Sequence, residues 1–63
     1  MSNAFEVVEM AGVSTVSISD AVKNAVSASG KKVLWFEVTE QRGRVLGDGT
    51  LEFQVKVKLG RVI

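Results

Sequence analysis

A chain of 63 residues makes one small domain, and a domain of that size buries only about 60% of the surface its unfolded form exposes. It has no cysteine and no histidine, which excludes a disulfide framework, a zinc finger, a Cys–His pair and a Ser–His–Asp triad; self-association remains as the way to reinforce so small a core. A formal net charge of +1 with 24% charged residues gives no drive toward a nucleic acid, and no apolar run is long enough to span a membrane.

Residues 1–4 carry no pattern and are read as a disordered end or tag remnant of a single domain spanning 1–63. Phe5 to Met10 is apolar, interrupted by Glu6 and Glu9, and predicts a first strand ending at Gly12. A Ser/Thr-rich connection, Ser14 to Ser17, follows. Ser17 with Asp20 three residues on resembles a capping box. Ile18, Ala21, Val22, Ala25 and Val26 then form one apolar stripe at helical spacing, predicting a helix from Ile18 to Ser29. Gly30 suits the left-handed position after the helix, and Lys31 and Lys32 sit where the helix dipole favours cations.

The period then changes from 3.6 to 2. Val33 to Leu46 and Thr50 to Val62 predict two strands, the second alternating Leu51, Phe53, Val55, Val57 and Leu59 with polar neighbours. Between them Asp48-Gly49 signals a two-residue type I′ hairpin loop. That loop pairs Leu46 with Leu51 and Gly43 with Gln54, unless a bulge at Gly43 shifts the register by one residue. The fold class is α+β: a β-α-β-β subunit with one helix packed on a three-stranded antiparallel sheet.

Lengths carry a further expectation. A helix of about 12 residues is roughly 18 Å long, and a strand of about 14 residues reaches roughly 46 Å. One thin helix cannot cover so long a hairpin, so the chain is expected to be an obligate oligomer. The absence of cysteine and of a signal-peptide pattern fits a cytoplasmic protein.

Phe36 and Val38 are expected to face the core. Trp35, Glu37, Thr39 and Gln41 then lie on the other face, with Gln54, Lys56 and Lys58 of the next strand. The sole tryptophan therefore stands among polar groups, away from its own helix. Three roles are open to it: packing against another subunit, stacking on a planar ligand, or stacking on a nucleobase beside Lys56, Lys58 and Arg61. The last is the weakest, with one aromatic on that face and a net charge near zero. Glu37, Glu40, Asp48 and Glu52 read as ion-pair partners of nearby Lys and Arg, and neither a metal site nor a catalytic group is assigned. Gly47-Asp48-Gly49 precedes no helix and is no phosphate loop.

Trp35-Phe36-Glu37-Val38-Thr39-Glu40-Gln41-Arg42-Gly43, followed by Phe53-Gln54-Val55-Lys56-Val57-Lys58, resembles the dodecins, small flavin-binding proteins with a strand–helix–strand–strand subunit. Val8 to Gly12 and the serine-started helix are similar to the family's N-terminal half. The resemblance implies a hollow homododecamer built from trimers, with flavins held in pairs between indoles of symmetry-related subunits. Carried over by position, Trp35 stacks on the isoalloxazine, Gln54 hydrogen-bonds the ring edge, and Arg42 lies near the ribityl or phosphate end. The implied cofactor is FMN or riboflavin, or else FAD, and the implied role is non-catalytic storage or sequestration. The alternative is an oligomeric scaffold of the same fold, with Trp35 buried between subunits and no ligand.

Overall fold

The computed structural model describes residues 4–63. The expectation of a disordered or tag-derived end at 1–4 therefore lies, for residues 1–3, outside the described residues. The chain runs β1 (Phe5–Ser14), α1 (Ile18–Ala28), β2 (Val33–Val45) and β3 (Leu51–Val62). The sheet order is β1-β3-β2, with β3 in the middle and antiparallel to both neighbours. No helix among the described residues is long and apolar enough to cross a membrane.

Strand β1 does not stop at Gly12 but continues to Ser14. The glycine serves close approach rather than termination. It is buried under α1, where a Cβ would run into the carbonyl oxygen of Ala21. Bare Gly12 and the small Ala21 and Ala25 thus bring the helix backbone down onto the sheet. Those alanines, with Val22, close the core against Val55, Val57 and Leu59. Val57 and Leu59 are fully buried, a gain of about 1.5–3 kcal/mol for each such side chain. Asn24 Nδ2 adds a hydrogen bond to the Val13 carbonyl at 2.9 Å.

Both helix ends are set locally. Ser17 Oγ accepts from the Asp20 backbone N–H at 2.9 Å, which is the expected N-cap. The reciprocal half of the capping box is absent, because the Asp20 carboxylate accepts from the buried Ser14 hydroxyl at 2.6 Å instead. Gly30 takes φ +75, as expected after a helix. The cation at the helix C-terminus is neither Lys31 nor Lys32. Arg61, arriving from β3, donates through Nη1 to the Ser29 carbonyl at 2.8 Å, and through Nε to Glu6 at 2.8 Å. Lys31 reaches the same Glu6 oxygen at 3.2 Å.

Arg61 first, then Lys31, holds the Glu6 carboxyl below its ordinary value of 4.5. A carboxyl with a lowered folded value adds stability that is complete above pH 4.5 and is lost as pH falls through that lowered value. Glu6→Gln is therefore expected to lower the urea midpoint at pH 7, and that disadvantage is expected to shrink at pH 3, below the ordinary value of 4.5. A constant gap between the two unfolding curves at both pH values would contradict this.

The hairpin differs from expectation in two linked ways. Its loop has three residues: Gly49 N–H donates to the Leu46 carbonyl at 2.9 Å, and Leu46 N–H to the Thr50 carbonyl at 2.8 Å. Only Gly49 of the loop has positive φ, at +87, so this is a type I turn closed by a glycine bulge rather than a type I′ turn. Asp48 Oδ1 accepts from the Thr50 N–H at 2.9 Å and stiffens it. Val45 therefore pairs with Leu51, Gly43 with Phe53 and Arg42 with Gln54. The β2 bulge nearest the turn is at Thr39, not Gly43, because Val38 pairs with Val57 and Glu40 with Lys56. Past that extra residue the faces exchange. Gln41 turns to the helix side, and Glu40, Arg42 and Arg44 join the Trp35 side.

Helix α1 lies over β1 and β3. On β2 only Val33 is part-covered, and Phe36 on the helix side remains 55% exposed. The radius of gyration is 13.3 Å, against about 10.6 Å for a compact 63-residue domain. The long hairpin outruns its helix, as the lengths predict.

Candidate ligand-binding face

The sheet face turned away from α1 has an apolar end and a polar end. At the apolar end Trp35 stands opposite Gly60, and a Cβ there would run into the indole at Cε2 and Nε1. Phe5 meets the indole edge-on, with centroids 5.9 Å apart and planes at 84°. Gly60 thus lets the ring lie against the strand while Trp35 stays 38% exposed, leaving apolar aromatic surface open. As expected, the tryptophan lies across the sheet from its own helix.

Gly60→Ala tests this packing. The side chain rather than backbone must give way, so the fold is expected to survive with the indole displaced. Red-shifted tryptophan emission at unchanged helix content would report it; an unmoved emission maximum would contradict it.

Charged rows follow along the strands. Lys58 lies between Glu9 of β1 and Glu37 of β2, and Lys56 between Ala11 and Glu40. Arg61 is on the opposite face, committed to Glu6 and Ser29. Lys56, Lys58 and Arg61 therefore do not form one cationic row.

At the polar end Arg42 Nε donates to Gln54 Oε1 at 3.0 Å. Gln54 Nε2 donates to Glu52 Oε1 at 2.8 Å, and Arg44 Nε pairs with the same oxygen at 2.8 Å. The Gln54 amide, and then Arg44, holds the Glu52 carboxyl below its ordinary value of 4.5. A hollow of about 350 Å³ opens here beside Arg42, Gln54, Glu40 and Lys56. Of the three expected site residues, the face joins Arg42 to Gln54 and keeps Trp35 apart. Gly60 and Gln54 are six residues apart on β3, about 20 Å.

Sequence reasoning missed Phe5 and Gly60 around the indole, and Arg44 and Glu52 beside Gln54. Arg44 and Glu52 lie on opposite arms of one hairpin with opposite charges, a signal readable only with the correct register. Among the described residues no group of three or more carboxylates gathers into a metal site. Between α1 and the start of β2, Ile18, Val22, Val26, Val33 and Phe36, together with Trp35, line a mostly apolar groove of about 760 Å³.

The strand–helix–strand–strand order and the lone indole on the outer face invite comparison with known families. Residues 4–63 match the family model Dodecin. The chain belongs to the dodecin family. Among solved structures, the dodecin from Streptomyces coelicolor is 40% identical with a TM-score of 0.79, covering 100% of this chain and 96% of that one. The dodecin from Streptomyces davaonensis is 29% identical with a TM-score of 0.81, covering 98% of this chain and 97% of that one. The calcium dodecin of Mycobacterium tuberculosis, described with a novel calcium-binding site, is 20% identical with a TM-score of 0.82, over 97% and 91% of the two chains. At that identity the likeness concerns the dodecin fold alone. No curated protein matched this dodecin chain.

Proposed function

We propose that this dodecin is a non-catalytic flavin-binding protein of the storage or sequestration type. One observation carries the reading: an indole lies against bare Gly60 on the sheet face its helix does not cover, with aromatic surface still open. A flavin ring stacks there, its large apolar area buried against the indole and its polar edge free for hydrogen bonds. Gln54 takes that edge and Arg42 the ribityl or phosphate end. Because Gln54 lies about 20 Å along the sheet from the indole of its own chain, the indole and amide that meet one ligand come from different copies.

The site therefore requires assembly, and the family points to a hollow homododecamer built from trimers. Further copies cover the apolar groove between α1 and β2, an exposed surface of the kind that marks interaction sites. The flavin is FMN or riboflavin, with FAD as the larger alternative. Electron transfer from the indole quenches the excited flavin, which suits protection rather than turnover. The chain works as one domain, in the cytoplasm.

The second reading is an assembly module without ligand, favoured by the same exposed apolar surface. Titrating riboflavin or FMN with micromolar protein separates the two. Loss of flavin emission is expected, and freshly purified protein carrying flavin would be yellow. Unchanged emission would sink the flavin reading.

A further inference from the structure

The polar end of the Trp35 face is a chain of four side chains whose hydrogen bonds each run in one direction only. Guanidinium N–H groups donate and never accept, and a carboxylate accepts and never donates. Arg42 Nε lies 3.0 Å from Gln54 Oε1, and Gln54 Nε2 lies 2.8 Å from Glu52 Oε1. Arg44 grips Glu52 with Nε at 2.8 Å and Nη2 at 3.4 Å. A glutamine amide set between groups that can both donate and accept has no preferred sense, because either of its ends satisfies either neighbour. Here a reversal would set donor against donor at Arg42 and acceptor against acceptor at Glu52. Gln54 is held in one sense, with one N–H and one oxygen lone pair left over.

We propose that Glu52, anchored by Arg44 and acting with Arg42 at the other end of the amide, is a positioning residue that fixes the donor–acceptor order of Gln54 and so selects ligands with an imide edge, a ring N–H flanked by carbonyls. This rests on the flavin reading and deepens it, since the pyrimidine end of isoalloxazine presents such an edge. The remaining lone pair of Gln54 Oε1 accepts the imide hydrogen, and the remaining Nε2 hydrogen is donated to the adjacent carbonyl. The Glu52 carboxyl, held below its ordinary value, stays an acceptor at neutral pH.

The test titrates wild type and Glu52→Gln with riboflavin and with N3-methylriboflavin, whose imide hydrogen is replaced by a methyl group. Loss of flavin emission is the readout. Wild type is expected to favour riboflavin about tenfold, the scale of one hydrogen bond. In Glu52→Gln, where position 52 can donate as well as accept, only Arg42 still opposes reversal, and the preference is expected to shrink to about threefold, with emission at saturation as low as in wild type. Glu52→Thr, whose hydroxyl also donates and accepts and which suits a strand, is expected to move the ratio the same way; it carries the test should Glu52→Gln fail to assemble. A variant ratio equal to that of wild type overturns the proposal, as does a wild type indifferent to the methyl group. Full emission of both flavins with wild type overturns the flavin reading itself.

Discussion

Trp35→Ala is expected to abolish most of the flavin quenching while leaving the assembly intact. Stacking of a planar ring on one aromatic side chain is worth about 1–3 kcal/mol. In a site where two copies face each other, one substitution removes both indoles at once. The loss of affinity is then about a hundredfold or more, at tenfold per 1.4 kcal/mol. Fluorescence titration gives the affinity and light scattering gives the particle mass. If the variant instead breaks into smaller species, and wild type ignores flavin, then Trp35 is an interface residue and the scaffold reading wins. The partly exposed indole, 38% accessible beside bare Gly60, favours the first outcome.

The second large effect concerns folding. Gly12→Ala places a methyl group where the Ala21 carbonyl oxygen stands. That oxygen belongs to helix backbone and cannot swing aside, so α1 must rise from the sheet as a unit. Overpacking costs typically about 1–3 kcal/mol, against a total of about 3–9 kcal/mol for a domain of this length. At about 4–8 °C for each kcal/mol, Gly12→Ala should lower the Tm by about 10 °C, and Gly12→Val should leave little folded protein. Gly47→Ala is the matched control. A Cβ there meets nothing within 4 Å, and Gly47 is not among the positive-φ glycines. Thermal scans must be run at one protein concentration, because assembly shifts the apparent Tm. Equal melting of the two alanine variants would refute the close-approach account of Gly12.

The site was legible in part, and particular residues show why. Trp35 falls on the outer face by simple alternation with Phe36 and Val38, and it stays there in the structure. Arg61 could have been separated from Lys56 and Lys58 by the same parity, since an odd position shares the core-facing row of β3. The pairing of Arg42 with Gln54 could not be read so directly. It depends on a three-residue loop, and Gly47-Asp48-Gly49 is compatible with two turn types until the hydrogen bonds around Leu46 are known. Beyond that pair, the bulge at Thr39 keeps Arg42 and Trp35 on one face. An extra residue in a strand has no compositional mark, and this one is held in part by Thr39 Oγ1 donating to the Lys56 carbonyl at 3.0 Å.

Local chemistry alone determined the number, kind and order of the elements, the Ser17 cap, the left-handed Gly30 and the outward tryptophan. Each of these depends on residues within a turn or two of one another, where side-chain period and backbone preference act directly. The tertiary structure alone decided the strand register, the descent of α1 onto Gly12, the transfer of Arg61 to the helix end and the Arg42–Gln54–Glu52–Arg44 chain. Those arrangements join groups as far apart in sequence as Glu6 and Arg61. They are chosen by which whole packing leaves the fewest clashes and unpaired polar groups, a sum over the fold that no single stretch of sequence contains.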